Sequence, residues 1–139
     1  MAGLFFKNRE HEVQSFILKF VNNNCPELKA MDEGPRLEAR ANLTAVVLVI
    51  PLEKKTLLLD ERFAAVTKEF NTRGVALVLH ECRAPDHAIL GFRYEGSMRW
   101  ILAQSKHLSP MGGGFWQLGM RLKQMVLPDD YPELESVYL

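Results

Sequence analysis

Apolar residues recur at helical spacing early in the chain. Val13, Phe16, Ile17, Phe20 and Val21 share one side, while Arg9, Glu10, Glu12, Gln14 and Lys19 fall largely on the other. The pattern predicts an amphipathic helix from Lys7 to Asn22. Asn22-Asn23-Asn24 and then Pro26 stop it, because asparagine tolerates the left-handed cap and proline cannot continue a helix. The stripe needs a partner, which could be the protein's own core, a dimer seam or a membrane surface. It is too short to sustain the heptads of a coiled coil, which favours the core. Residues 26–42 then carry Pro26, Gly34 and Pro35 with mixed charge and little periodicity, and read as an extended arm.

From Leu43 the period changes. Leu43 to Ile50 is nearly all apolar and β-branched, and Pro51 with Glu53-Lys54-Lys55 is expected to close it. Phe63 to Phe70, Val75 to His80, Ala88 to Tyr94 and Met98 to Lys106 follow as strands, with Glu95-Gly96-Ser97 as a tight turn between the last two. Beyond Gly112-Gly113-Gly114, Trp116, Leu118, Met120 and Leu122 alternate with Gln117, Gly119, Arg121 and Lys123. Gly119 inside that alternation marks a bulge, a bend or a close backbone contact. Six short strands with no intervening helix predict a mainly β domain, an antiparallel sheet that closes into a small barrel or folds into two layers. The chain divides into a helical segment (1–25), the arm (26–42), a β domain (43–127) and an acidic tail (128–139). That tail is expected to be solvated, with a short helix beginning near Asp130-Tyr131-Pro132.

Composition narrows the partners. With 139 residues, 47% hydrophobic and 24% charged, the chain is sized for one soluble domain. Seventeen Lys plus Arg balance seventeen Asp plus Glu, so there is no general field to gather nucleic acid or anionic membrane, and an anion must be held by a local cluster. Cys25 and Cys82 stand far apart without a metal-binding spacing, which predicts two reduced structural thiols and a cytosolic setting. No apolar run is long enough to span a bilayer, and the opening Met-Ala-Gly-Leu-Phe-Phe-Lys reaches charge too soon for a secretory leader.

The densest polar chemistry lies at Glu69-Phe70-Asn71-Thr72-Arg73-Gly74, between two apolar runs. A carboxylate, an amide, a hydroxyl and a guanidinium crowd one corner, and Gly74 suits a sharp turn that demands positive φ. A solvated hairpin turn would look the same. Upstream, Arg36 and Arg40 stand four positions apart, so they share a face in an extended or a helical segment and can reach one ligand. Alone, Arg-x-x-x-Arg is equally two surface arginines with Glu38 beside them.

Taken together, Arg36-x-x-x-Arg40, two strands, and Glu69-x-Asn71-x-x-Gly74 followed by Val75-Ala76-Leu77 resemble the PilZ domain family over residues 34 to 126. The final strand, Gly114 to Leu122, is similar to that family's last strand. The resemblance implies a six-stranded antiparallel PilZ-like β-barrel that binds cyclic di-GMP. Arg36 and Arg40 would grip phosphate and guanine, Glu69 and Asn71 would contact guanine edges, and Gly74 would hold the corner. The family has Asp or Asn where this chain has Glu69, and Ser where it has Asn71, so both positions stay polar but grow larger. It further implies a bacterial second-messenger receptor that couples nucleotide binding to an unidentified protein partner as the arm closes and shifts the N-terminal helix. The alternative is a degenerate barrel that binds no nucleotide and serves as an interaction or dimerisation module, with the helix as a homodimer seam. Catalysis, cofactors and metals are not expected. His11, His80, His87 and His107 are scattered, Ser97, Ser105 and Ser109 lack a nucleophile context, and the triple glycine is followed by a strand rather than by Lys-Ser or Lys-Thr and a helix.

Overall fold

The computed structural model describes residues 12–21, 43–71 and 73–139. Helix α1 occupies 12–21. Strands follow as β1 (Val46–Glu53), β2 (Thr56–Leu57), β3 (Phe63–Phe70), β4 (Gly74–Leu79), β5 (His87–Tyr94), β6 (Ser97–Gly112) and β7 (Phe115–Val126), and short 3-10 turns lie at Leu59–Glu61 and Pro132–Ser136. All pairings are antiparallel. The sheet order is β2-β1-β3-β4-β7-β6-β5, and β1 also pairs with β5, Ile50 opposite Ile89, so each of the six long strands has a neighbour on both sides.

Two apolar clusters occupy the two faces of this sheet. On the inner face Val47, Val49, Phe70, Leu77, Leu90, Phe92, Ile101 and Leu118 pack with Val13, Phe16, Ile17, Phe20 and Val21 of α1. The helix docks through rings: Phe20 lies 5.2 Å from Phe92 and 5.8 Å from Phe70, and Phe16 meets Tyr94 edge-on at 5.6 Å. The stripe predicted from its period is therefore spent on the protein's own core, not left open as a dimer seam.

The outer face of β1, β5 and β6 carries Leu48, Ile50, Ile89 and Trp100, and the C-terminal segment covers it with Leu134, Tyr131 and Val137. This corrects the expected solvated tail. Glu133 and Glu135 face water, but Leu134 between them is 2% exposed. Burial on both faces also explains why β1 reads as a continuous apolar run without alternation.

Several strand bounds differ from expectation. β1 begins at Val46, not Leu43, and runs through Pro51, whose carbonyl accepts the Leu58 amide at 2.9 Å on the side where only the two-residue β2 pairs. The amide that proline lacks is missed little there. β6 continues through Pro110 and Met111 to a turn in which Gly112, Gly113 and Gly114 all have positive φ, as a hairpin tip requires. Cys82 is exposed rather than structural, and Cys25 lies outside the described residues.

Candidate functional site

Two irregularities in the ladder shape the outer face. Between Thr67 and Glu69 the β3–β4 register shifts, leaving Lys68 as an extra residue, and between Ser105 and His107 the β6–β7 register shifts around Lys106. A bulge re-aims the side chains beside it. Here each one brings charged or polar groups onto the outer face, Lys68 and Glu69 from β3, Lys106 and His107 from β6.

Between these strands the face is nearly bare. Lateral pairing sets Glu69 opposite Ala76, Ala76 opposite Gly119 and Gly119 opposite His107, one row across four strands with its two middle members the smallest residues available. Gly74, the next outward position of β4, pairs with Arg121. The result is an open groove of about 470 Å³, floored by Gly74, Ala76 and Gly119 and walled by Glu69, Asn71, Arg73, Lys106, His107 and Arg121. Lys68 Nζ donates to Gln117 Oε1 at 3.0 Å, tying β3 to β7 at one end.

The corner itself is built by Asn71. Its Oδ1 accepts from the backbone amides of Arg73 and Gly74, both at 2.8 Å, and its own amide donates to the Gly74 carbonyl at 3.0 Å. The side-chain acceptor thus holds the loop, and Nδ2 is the group Asn71 can offer a ligand. Gly74 is needed for a different reason than the turn suggested. It does not adopt positive φ; it opens β4, and a Cβ there would stand 2.7 Å from the Met120 carbonyl oxygen of β7. Gly119 likewise marks a close contact, with the His107 ring occupying the space of its missing side chain, and the bulge lies opposite it in β6.

Beside residues 43–45, just ahead of β1, Thr67 is 1% exposed. Its hydroxyl donates to the Leu43 carbonyl at 2.5 Å and accepts the Ala45 amide at 2.8 Å, while its own amide donates to the Ala45 carbonyl at 2.8 Å. Residues 43–45 are pinned against β3, two positions from Glu69.

Of the five residues expected at the site, Glu69, Asn71 and Gly74 line one groove. Arg36 and Arg40 lie outside the described residues. The chain is neutral overall, yet the groove wall carries Arg73, Lys106 and Arg121 against Glu69. Among the described residues no hydrogen bond or ion pair engages the side chains of Arg73 or His107. Such a wall suits an anion with planar or amide-like edges. Sequence reasoning named Arg73 but passed over Lys106, His107 and Arg121, which looked like the polar side of ordinary strands; the glycine at 119 was the signal that something packs closely there.

Among the described residues no group of three His, Cys, Asp or Glu could hold a metal ion, and no helix is long and apolar enough to cross a membrane. No protein-family model matches the chain, and no curated protein matches it. Among solved structures it is similar to the Bacillus subtilis inhibitor of motility (MotI/DgrA), with a TM-score of 0.45 and 14% identity over 69% of this chain and 46% of that one, so it spans less than half of that protein's length.

Proposed function

We propose that the chain is a PilZ-type receptor module, its ring of six paired strands a small barrel, that binds cyclic di-GMP and relays the event to another protein. The observation that carries the reading is the meeting of Glu69, Asn71 and Gly74 with three cationic side chains around one small-residue groove. Cyclic di-GMP presents two phosphates and two guanines. Guanidinium forks onto phosphate oxygens and stacks on a ring, and a carboxylate accepts from the guanine N1 and N2 donors. Glu69 takes the second role, and Arg36 and Arg40 reach the ligand from the arm. Thr67 holds residues 43–45 against β3, the strand that carries Glu69, and α1, packed on the inner face of the same sheet, is the element through which binding would be relayed. No catalysis is assigned, and the setting is cytosolic.

Calorimetric titration of cyclic di-GMP into the full chain tests this. Saturable binding is expected, with Arg36→Ala and Arg40→Ala each costing about 2–5 kcal/mol if the guanidinium is desolvated in the complex. Titrations unchanged in both variants would remove the arginines from the site.

A second reading has its own support. Asn71 spends its acceptor on the loop, and Met111 and Phe115 stand 42% and 49% exposed at the β6–β7 tip. A barrel that binds no nucleotide and engages a protein through that tip would give no heat with cyclic di-GMP.

A further inference from the structure

We infer that His107 is a ligand-contacting residue of the groove, donating a hydrogen bond to an acceptor oxygen or nitrogen of the nucleotide from the wall opposite Glu69. The inference rests on the nucleotide reading above and adds a residue that the Arg-x-x-x-Arg and Glu-x-Asn-x-x-Gly motifs do not contain.

Three observations converge on this residue. First, the β6 bulge places it. With Lys106 surplus to the ladder, His107 pairs with Gly119 and ends the row that starts at Glu69. Second, its ring lies in the groove. The ring atoms nearest to where a Gly119 side chain would stand are Cε1, Nε2 and Nδ1, so the imidazole sits directly over the glycine of the floor, among the groove-lining residues. Third, that ring is unspent. Among the described residues the His107 side chain has no hydrogen bond or ion pair, although Lys106, Gln117 and Arg121 line the same groove. An exposed imidazole laid on a glycine in the groove, with no side-chain partner of its own, is placed to meet a bound molecule. Facing it, Glu69 takes guanine donors while His107 supplies a donor, so the two walls complement different edges of one ligand.

Gly119 then acts as a positioning residue. Any side chain there would collide with the ring and push it off the floor.

Cyclic di-GMP is titrated into the full chain and into His107→Ala, His107→Gln, Gly119→Ala and His107→Ala/Gly119→Ala, with folding checked by circular dichroism. His107→Ala is expected to weaken binding on the order of tenfold, the scale of one lost hydrogen bond in a partly charged site. His107→Gln should recover most of that loss. Gly119→Ala should weaken binding comparably, and the double variant should be no worse than His107→Ala, because removing the ring makes room for the Cβ. Should Gly119→Ala fail to fold, the double variant carries the comparison and is expected to fold. Full affinity in His107→Ala, with Arg40→Ala weakened, would overturn the inference and leave the nucleotide reading standing. Additive losses in the double variant would overturn the positioning role of Gly119. Absence of binding by the unmodified chain would overturn the inference and the nucleotide reading together.

Discussion

Thr67 shows how much one hydroxyl can organise. It serves a carbonyl and an amide of residues 43–45 at once, so the strand that carries Glu69 also fixes the residues just ahead of β1. Thr67→Val keeps the shape and strands both backbone groups. The expected cost is about 2–4 kcal/mol, read as a lower urea midpoint, and an unchanged midpoint would mean that water replaces the hydroxyl. Other residues teach the same lesson about local reading. Gly74 was legible as a necessary glycine, but the cause, the Met120 carbonyl on β7, lies 46 positions away and leaves no trace in the local pattern. Asn71 was legible as a polar group at a corner, yet that its acceptor folds back on the Arg73 and Gly74 amides is a matter of geometry.

At the scale of elements, period was the reliable guide. The stripe of α1 and the alternation of β7 both follow from residues that face one core, and both appear as expected within the described residues, the helix ends expected at 7–11 and 22 lying outside them. Phe20 joins α1 to β3 and β5 through Phe70 and Phe92 and is 3% exposed. Phe20→Ala should therefore cost about 3–5 kcal/mol, measured by denaturant unfolding. A loss below about 1 kcal/mol would mean that α1 is not anchored on the sheet. Strand ends and bulges were not legible. Pro51 and Pro110 look like terminators, but each sits where its missing amide is not demanded by a long neighbouring strand or at the end of a hairpin arm. Bulges depend on how two strands meet, so neither Lys68 nor Lys106 differs in composition from any exposed strand residue.

For the molecule as a whole, net neutrality and a cationic groove are compatible because charge is segregated rather than absent. Asp129, Asp130, Glu133 and Glu135 sit on the segment that covers the outer face of β1, β5 and β6, while Arg73, Lys106 and Arg121 line the groove. Binding should then depend on salt through the local cluster, weakening between low and physiological ionic strength while the apo melting temperature changes little. Ligand at one hundred times its Kd should add about 2.7 kcal/mol of apparent stability, seen as a rise in melting temperature with cyclic di-GMP concentration. A melting temperature indifferent to the nucleotide would contradict the proposed function.

The surplus residue in β6 separates architecture from recognition. Removing Lys106 would leave Ser105 opposite Met120 and His107 opposite Gly119 as consecutive partners, an uninterrupted pleat in which inward and outward positions still alternate. A one-codon deletion, usually ruinous inside a strand, is expected here to yield a protein that still folds, shown by an unaltered circular dichroism spectrum. Its cleft would have lost one lysine and its capacity for nucleotide would be reduced. If the deletion unfolds the chain instead, the kink at that point belongs to the scaffold.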